Sequence, residues 1–370
     1  MFFRQTWEEV NLDNLDHNLD TIIKALNRKA LFAIIKANSY GVGDFQVASR
    51  AVAKKAQYLG VSSLDEAISL RHQGITAPIL VLNYVSYQHL LAAKKNNVTI
   101  TVVSFEHAQK IKESRINGLR LHFKVDTGMN RIGFKDDQEL YDAIIALKQD
   151  HDVEGIYTHY LDSSEANQIT KEQFDSFKRT IKRIDHPFKY IHLANSDAIF
   201  NFNDDISNAA RAGIAMFGLA SNNKDLKPVC SLYTKIVHIK QVSEKETISY
   251  KGTYLTKNNE WIATLPIGYA DGLNRHYQDQ TVYVNNEYAK IVGRICMDQC
   301  MISLKNYQPI DTVVEIFGPH IPIEEVAKRL DTIPYEILTS ISDRVARVYR
   351  RKRGIEKIDN QRLDNKNDCD

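Results

Sequence analysis

The feature that most constrains the fold is an alternation of short β-rich runs with helix-patterned segments across the first ~225 residues. The β-rich runs cover residues 31–35, 58–61, 79–82, 99–103, 121–125, 155–157, 190–193 and 211–214. The segment after the second run opens on Ser63 with Glu66 three residues later, which predicts a capped helix start. Eight strands alternating with helices predict a (β/α)8 barrel of the TIM type. No glycine-rich dinucleotide or P-loop motif follows any run, which disfavours Rossmann and P-loop enzymes.

Beyond Pro228 the pattern changes to strand-like runs that follow one another without long helices. These runs cover residues 232–242, 247–250, 261–265, 281–284, 289–292, 301–304 and 312–316, with one amphipathic helix at 323–330. Polar turns between consecutive runs favour a mostly antiparallel sheet. The sequence therefore predicts an α/β barrel in residues 1–228, an antiparallel β domain in 229–356, and a polar, frayed tail in 357–370.

Composition excludes several classes of protein. With 43% hydrophobic and 25% charged residues, 370 residues are enough for two globular domains. No apolar stretch reaches membrane-spanning length, and the N-terminus lacks a signal-peptide core. A net charge of +2 does not favour nucleic-acid or membrane binding, and we interpret the basic cluster at 347–353 as a solvated face. Four scattered cysteines disfavour disulfides and structural zinc, and are typical of a cytoplasmic protein.

Lys36 is the first candidate for chemistry. It lies in LFAIIKANSYGVG at residues 31–43, where an apolar run ends in a glycine-bearing turn. A single lysine at such a strand end more often extends into solvent. Partial desolvation there would instead help it lose its proton and attack a carbonyl. Other candidates also fall at the carboxyl ends of predicted strands, with Arg211 and Gly213 at the eighth, and the carboxyl ends of barrel strands share the face that carries active sites. They are Lys124, Arg131, His159, Asn195, Ser196, Arg211 and Gly213.

The Lys36 segment and seven further motifs in this chain resemble those of alanine racemases, which are fold-type III pyridoxal-phosphate enzymes. Besides the Lys36 segment, they are KVDTGMNRIG at 124–133, TH at 158–159, ANS at 194–196, RAGI at 211–214, SY at 249–250, LPIGYADG at 265–272 and GRICMDQ at 293–299. They occur in the family's order and cover roughly residues 5 to 350. The resemblance implies interconversion of L-alanine and D-alanine, supplying D-alanine for peptidoglycan.

The resemblance also implies a set of cofactor contacts. Pyridoxal 5'-phosphate would be attached to Lys36, and Arg211 would face its pyridine nitrogen. The phosphate would be held by Tyr40, Ser196, and the backbone amides of Gly213 and Ile214, with Asn195 beside them. Because arginine keeps its proton, the ring nitrogen would stay unprotonated and the cofactor would be a weaker electron sink, which favours racemisation over transamination.

Racemisation needs an acid or base on each face of the substrate. The resemblance assigns these roles to Lys36 and Tyr250, with positive charge from His159 and Arg211 helping the phenol to lose its proton. The substrate would be bound by Arg131 and Met297 and confined by Tyr269. Lys124 would carry a carbamate that orients Arg131 instead of repelling it; the alternative is a lysine in solvent or paired with Asp126. In the family the active enzyme is a homodimer whose sites are completed by the partner subunit.

Some positions depart from the family pattern. Phe217 stands where many members have tyrosine, and Asp343 stands where some members have tyrosine. After His159 the sequence is YLDSS instead of the more usual Phe-Ala-x-Ala-Asp. These departures leave open a racemase of broader small-amino-acid range, including serine. A fold-type III amino-acid decarboxylase is a less favoured alternative, because SY at 249–250 and RICMDQ at 294–299 match the racemases. A non-catalytic pyridoxal-phosphate carrier is disfavoured, because such carriers lack the C-terminal β domain.

Overall fold

The computed structural model describes residues 2–165, 167–220 and 223–364. The chain divides into two compact units. The barrel unit comprises residues 16–39 and 43–227, and the sheet unit comprises residues 1–15, 40–42 and 228–370. The first fifteen residues thus lie with the C-terminal part of the chain, whereas the sequence placed them in the barrel domain. The reason is the first strand, β1 (Thr6–Asn11), which pairs with strands of the sheet unit.

The barrel unit is built on a closed parallel barrel. Its strands are β2 (Ala30–Ile34), β3 (Tyr58–Val61), β4 (Ile79–Val81), β5 (Val98–Val102), β6 (Arg120–Lys124), β7 (Asp152–Tyr157), β8 (Tyr190–His192) and β9 (Ala209–Ala212). The barrel closes where β2 pairs with β9, with Leu31 opposite Ala210. Most of these strand residues are buried on both sides, and parallel strands covered by helices read as continuous apolar runs for this reason. The predicted barrel is confirmed, and each strand starts or ends within about three residues of its predicted bounds.

Most of the described helices belong to the barrel unit, and the last three along the chain belong to the sheet unit. Their bounds are Leu12–Ala25, Asp44–Ala53, Leu64–His72, Leu90–Lys95, Phe105–Glu113, Asp137–Leu147, Gln168–Ile184, Ala198–Asn201, Ile323–Arg329, Pro334–Ser340 and Gln361–Asp364. The predicted cap at Ser63 is present. The Ser63 side chain accepts from the backbone N–H of Glu66, and the Glu66 side chain accepts from the backbone N–H of Ser63. No helix in the described ranges combines the length and apolar character needed to cross a bilayer.

The sheet unit is a mostly antiparallel sheet. Besides β1, its strands are β10 (Cys230–Lys235), β11 (His238–Val242), β14 (Glu260–Leu265), β15 (Thr281–Val284), β16 (Glu287–Val292), β17 (Cys300–Leu304), β18 (Val313–Phe317), β19 (Ala346–Arg351) and β20 (Gly354–Asp359). Their spatial order is β11, β14, β17, β16, β15, β18, β10, β1, β19 and β20. A separate small ribbon pairs β12 (Thr247–Ile248) with β13 (Tyr254–Leu255). Among the described residues of this sheet, β1 and β19 are the only neighbouring strands that run parallel. The predicted antiparallel β domain is confirmed.

The basic cluster at 347–353 is not a uniformly solvated face. Arg347 lies in β19 and is buried, with its guanidinium 3.1 Å from the Glu8 carboxylate and 3.0 Å from the carbonyl oxygen of Gly41. Arg350 is exposed, as the prediction required. The predicted boundary before residue 357 falls inside β20, because Lys357 pairs with Tyr349 of β19. Residues 365–370 of the predicted frayed tail lie outside the described residues.

Candidate active site

Lys36 lies two residues beyond the last residue of β2, at the carboxyl end of the barrel strands. Its side chain is exposed at the strand exit. The pKa of its amine is lowered, first by partial burial and then by the positive charge of Arg131, while Glu66 opposes the shift. A lysine with a lowered pKa has more neutral amine at neutral pH, which is the form that attacks carbonyl carbon or accepts a proton.

The turn after Lys36 is left-handed, a conformation that L-residues rarely adopt. Ala37, Asn38 and Ser39 have φ angles of 53°, 53° and 51°. Each such residue costs about 1 kcal/mol or more, so neighbouring contacts must hold the turn. The Glu66 carboxylate accepts from the backbone N–H of Ala37 at 2.7 Å, and the side-chain oxygen of Asn38 accepts from the backbone N–H of Asp44 at 2.9 Å.

Tyr40 ends this turn and belongs to the sheet unit. It is buried, and its ring meets that of Tyr335 edge to face at 6.0 Å between centroids. Burial raises the pKa of its hydroxyl, so Tyr40 stays a neutral phenol.

Arg211 is the most heavily bonded side chain of the barrel face. One terminal nitrogen donates to Nδ1 and to the carbonyl oxygen of His192, at 2.8 and 3.0 Å. The other donates to the carbonyl oxygens of Thr158 and Leu193, both at 2.8 Å, and to Nδ1 of His159 at 3.2 Å. Burial lowers the pKa of the guanidinium to about 10, so it remains charged at neutral pH. Its orientation is therefore set by its protein partners.

His159 is a neutral hydrogen-bond acceptor. Burial lowers its pKa well below the usual value, and the positive charges of Arg211 and Lys124 lower it further. Because the guanidinium has only donors, Nδ1 of His159 must accept and its proton must be on Nε2. The sequence-based expectation that His159 adds positive charge to the site is therefore not supported by its surroundings.

Ser196 and Gly213 meet in the loops after β8 and β9. The Ser196 hydroxyl oxygen accepts from the backbone N–H of Gly213 at 3.0 Å and of Ala215 at 3.2 Å. A hydroxyl that accepts twice still has its own proton to donate. Of the two backbone amides predicted to hold a phosphate, that of Gly213 is thus engaged by Ser196, and that of Ile214 is not.

Asn195 stabilises the loop that contains Ser196. Its side-chain oxygen accepts from the Ser163 hydroxyl at 2.6 Å and from the backbone N–H of Ala198 at 3.1 Å. Ser163 is buried and was not predicted as part of the site. These contacts assign Asn195 to holding the loop in place.

Lys124 is buried at the end of β6, neither in solvent nor paired with Asp126. Its amine donates to the carbonyl oxygen of Val125 at 2.9 Å and lies 5.4 Å from the centre of the Tyr157 ring. Burial first, and then the charge of Arg211, lowers its pKa to about 7. Asp126 instead accepts from the backbone N–H groups of Gly128 and Asn130, both at 3.0 Å. Arg131 follows this loop and is exposed.

Gln173 ties two site loops together and was not predicted. Its amide donates to the Thr127 hydroxyl and to the carbonyl oxygen of His159, both at 3.2 Å, and its oxygen accepts from the backbone N–H of Leu161 at 2.8 Å. The signal for it was available in the sequence. Gln173 is a polar residue on the buried face of the amphipathic helix Gln168–Ile184, together with Phe177.

In the sheet unit, the remaining candidates lie at the surface. Tyr250 is 69% exposed and Met297 is 53% exposed. They line a depression of about 630 Å³, whose lining residues are Ser249, Tyr250, Cys296, Met297, Asp298, Gln299 and Met301. Large exposed aromatic and thioether groups around a concave surface are typical of a binding site.

Tyr269 and Met297 are held together by their backbones. The N–H of Tyr269 donates to the carbonyl oxygen of Cys296, and that of Ala270 donates to that of Met297, both at 3.0 Å. Gly268 allows this approach, because a Cβ there would lie 2.3 Å from one carbonyl oxygen and 2.4 Å from the other. The loop bearing Met297 is anchored again where Arg344 donates to Asp298 at 2.7 Å.

Two of the departures from the family pattern, Phe217 and Asp343, have ordinary environments. Phe217 is buried in the barrel unit. Asp343, in the sheet unit, accepts from Arg362 at 3.1 Å. Among the described residues, no group of His, Cys, Asp and Glu is suited to hold a metal ion.

The chain matches two family models, "Alanine racemase, N-terminal domain" over residues 10–221 and "Alanine racemase, C-terminal domain" over residues 229–349. It is 38% identical to the alanine racemase of Geobacillus stearothermophilus, with 97% of each chain covered. It is 39% identical to the alanine racemase of Halalkalibacterium halodurans, covering 98% of this chain and 99% of that one. The crystal structure of alanine racemase from Bacillus anthracis with bound L-Ala-P matches with a TM-score of 0.93 at 37% identity, covering 98% of this chain and all of that one.

Proposed function

The chain belongs to the alanine racemase family, and we propose that it interconverts L-alanine and D-alanine with pyridoxal 5'-phosphate as cofactor. The observation that carries the proposal is the placement of Lys36, Arg211 and Ser196 at the carboxyl ends of barrel strands. The amine of Lys36 is partly desolvated, Arg211 is a buried permanent cation, and Ser196 has a hydroxyl proton to donate. The relative with a bound alanine analogue supports alanine as substrate.

The residues of the barrel face fit the cofactor. Lys36 offers an amine for its carbonyl group. Ser196 and the backbone amide of Ile214 offer donors for its phosphate, since Ser196 already accepts from Gly213 and Ala215. The hydrogen bonds of Arg211 engage its two terminal nitrogens, so we assign its Nε–H to the pyridine nitrogen. Tyr40 and Asn195 complete the proposal, as a neutral hydroxyl toward the phosphate and as the support of the Ser196 loop.

Bound pyridoxal phosphate supplies the electron-withdrawing ring that acidifies the α-hydrogen of the amino acid. Arg211 determines how far this withdrawal goes. A guanidinium donates a hydrogen bond but does not give up its proton, so the ring nitrogen would stay unprotonated. Negative charge would then remain near Cα, where reprotonation would give racemisation.

Two groups would transfer the proton, one on each face of the substrate. In the proposal, Lys36 Nζ takes the α-proton from D-alanine and Tyr250 Oη takes it from L-alanine, and each returns a proton in the opposite direction. Arg211 supplies the positive charge that favours the tyrosinate, because His159 is neutral. Tyr250 is in the sheet unit and highly exposed, which supports a site that a second subunit completes. We therefore propose a homodimer in which Tyr250 of each subunit serves the barrel of the other.

The same arrangement gives the substrate its binding groups. Arg131 and the backbone N–H of Met297 would bind the carboxylate of the amino acid. Tyr269, whose backbone is locked to the Met297 loop, would leave room only for a small side chain. A carbamate on Lys124 would hold Arg131 in place, and a buried lysine with a pKa of about 7 has the neutral amine that carbon dioxide requires.

The reaction would take place in the cytoplasm and would supply D-alanine for peptidoglycan. The cysteines described by the structure, Cys230, Cys296 and Cys300, are free thiols, as a reducing compartment would keep them. A broader range that includes serine is the second candidate, supported by Asp343 at a position where some members have tyrosine.

The test is a substrate panel. Purified protein is loaded with pyridoxal phosphate and incubated with L-alanine, L-serine and larger L-amino acids, and the D-enantiomers are measured by chiral chromatography. We expect D-alanine to form with the highest kcat/KM. Formation of amines with loss of carbon dioxide, or no D-alanine, would reject the proposal, and equal rates for alanine and serine would favour the broader racemase.

A further inference from the structure

The interior of the barrel contains a chain of buried polar side chains that the proposed mechanism does not use. His192, at the end of β8, contacts His122 of β6, which in turn faces Glu154 of β7. All three are almost completely buried. Barrel interiors are usually filled by branched apolar residues, and burying a carboxylate is unfavourable unless it is well compensated. These residues therefore call for an explanation beyond packing.

The two hydrogen bonds that lead from Arg211 through His192 to His122 run in one direction. Arg211 can only donate, so Nδ1 of His192 accepts its hydrogen bond at 2.8 Å and the proton of His192 must be on Nε2. That Nε2–H donates to Nδ1 of His122 at 2.9 Å. The proton of His122 is consequently on its own Nε2, which faces Oε2 of Glu154 at 3.6 Å. Burial lowers the pKa of both histidines, which agrees with two neutral rings.

Glu154 is held as a carboxylate at the far end of the chain. Its Oε1 accepts from Lys189 at 2.7 Å, and Tyr58 donates to its Oε2. Burial favours the protonated acid, but the neighbouring His122 ring and the hydrogen bonds from Lys189 and Tyr58 outweigh it and lower the pKa of Glu154 to about 2. The Lys189 side chain is 65% exposed, so the chain of contacts reaches solvent at the end away from Arg211.

The backbone makes room for this arrangement. Gly155 lies beside His122 in the paired strands β6 and β7. A Cβ at Gly155 would lie 2.5 Å from both Cε1 and Nδ1 of the His122 ring. The ring of His192 stacks on Tyr157 at 4.6 Å between centroids with 11° between planes, which fixes the second ring. Both imidazoles are thus confined to single orientations.

We propose that Glu154, His122 and His192 form a relay that positions Arg211 from the opposite end of the barrel. The Glu154 carboxylate polarises His122, His122 polarises His192, and Nδ1 of His192 becomes a stronger acceptor for the guanidinium. Glu154 and His122 are positioning residues, because neither touches the cofactor or the substrate in this scheme. The consequence for catalysis rests on the proposed function, whereas the proton positions do not.

The first test measures proton positions in the cofactor-free protein. Imidazole nitrogens with and without a proton have well-separated ¹⁵N resonances, and signals of ¹⁵N-histidine-labelled protein can be assigned with His122→Gln and His192→Gln. We expect His122 and His192 to be neutral with their protons on Nε2. A proton on Nδ1 of either ring, or a charged ring, overturns the relay even if the parent racemises alanine.

The second test perturbs the far end. Glu154→Gln removes the charge and keeps the size, while Tyr58→Phe removes a competing donor and leaves the carboxylate freer to act on His122. We expect the ¹⁵N signals of His192 to move in opposite directions in the two variants. In the loaded enzyme, Glu154→Gln should lower kcat roughly tenfold with little change in KM, as loss of a charge-assisted positioning contact would.

The matched control is Asp204→Asn. Asp204 is also a buried carboxylate of the barrel unit, and it pairs with Lys29 at 2.9 Å. Its side chain also accepts from the backbone N–H and the hydroxyl of Ser207, and among the described residues it has no hydrogen bond with His122, His192 or Arg211. We expect it to lower the Tm about as much as Glu154→Gln without changing kcat or the His192 signals.

If Glu154→Gln and Tyr58→Phe also leave the His192 signals unchanged, the network is structural and the proposal is wrong. If Glu154→Gln does not fold, the parent and Tyr58→Phe spectra decide the question. Absence of racemisation by the parent would instead reject the proposed function alone.

Discussion

The Glu66 carboxylate connects the ends of two adjacent barrel strands. One oxygen accepts a hydrogen bond of 2.7 Å from the backbone N–H of Ala37, the residue after Lys36. The other accepts from the backbone N–H of Ser62, after β3, at 2.6 Å. A residue that the sequence identified as part of a helix cap therefore also holds the left-handed turn at the candidate catalytic lysine.

We expect Glu66→Gln to loosen this turn. An amide has one acceptor oxygen, so it can satisfy either Ala37 or Ser62 while its N–H2 group faces the other donor. Affinity for pyridoxal phosphate, measured by spectroscopic titration of cofactor-free protein, should fall roughly tenfold. Glu106→Gln is the control, because Glu106 also lies in the first turn of a barrel helix, Phe105–Glu113. Equal affinities for parent and Glu66→Gln would show that the turn holds itself.

The loaded protein should be yellow, and the colour should depend on Lys36. Lys36→Ala removes the amine that would attach the cofactor, so both the visible absorbance and borohydride-dependent covalent labelling should be lost. Lys29→Ala is a suitable control, since Lys29 is also in the barrel unit but donates to Asp204 and Ser207. Covalent labelling of Lys36→Ala at the parent's level would assign the attachment to another lysine.

Much of the fold was predictable because buried parallel strands are continuous apolar runs, as in β2 and β4. The strands β1 and β19 were missed for the opposite reason. β1 contains two glutamates and β19 three arginines. The two strands pair with each other from opposite ends of the chain, and the other partner of β1, β10, is more than 200 residues away. The ion pair of Glu8 and Arg347 that buries both charges forms only when these strands meet.

The residues of the candidate site also fall into those that the sequence indicated and those that it did not. The sequence indicated residues that follow strands, such as Lys36 and Ser196, because barrel geometry brings strand ends to one face. It did not indicate His122 and Glu154, since a side chain pointing into a barrel cannot be distinguished in one sequence from one pointing toward a helix. Their relation to Arg211 depends on contacts between three different strands.

Composite sites predict complementation between two inactive variants. If Lys36 and Tyr250 of one site come from different subunits, mixing Lys36→Ala with Tyr250→Phe should restore activity through hybrid dimers that contain one intact site. Random exchange of equal amounts should give about a quarter of the parent's activity, since half of the dimers are hybrids with one of two sites intact. No recovery, after subunit exchange is verified by mass spectrometry of tagged subunits, would indicate sites completed within one chain.

The two proposed bases should be separable by isotope exchange. Tyr250→Phe removes the group assigned to L-alanine and leaves Lys36 to act on D-alanine. In deuterated solvent the variant should exchange the α-hydrogen of D-alanine at least tenfold faster than that of L-alanine, measured by proton NMR, because a general base contributes about 100-fold or more. Tyr288→Phe, at another exposed tyrosine of the sheet unit, is the control and should treat both enantiomers alike. Equal slowing of both exchanges in Tyr250→Phe would mean that one residue serves both faces.

Lys124 should influence stability and activity in a way that depends on carbon dioxide. Its pKa is about 7 in the folded protein, below the ordinary lysine value of 10.5. The unfolded chain therefore binds more protons between these pH values, and the unfavourable contribution of Lys124, at most about 5 kcal/mol, is complete below pH ~7 and disappears as pH rises toward ~10.5. In CO2-free buffer, Lys124→Met should thus stabilise the protein most below pH ~7, as measured by urea unfolding.

With bicarbonate, the neutral amine of the parent's Lys124 should form a carbamate that is visible by ¹³C NMR. Lys124→Met should then lose activity and regain part of it with acetate, whose carboxylate can take the carbamate's position beside Arg131. A parent without a carbamate signal, together with a fully active Lys124→Met that acetate does not affect, would remove Lys124 from the site.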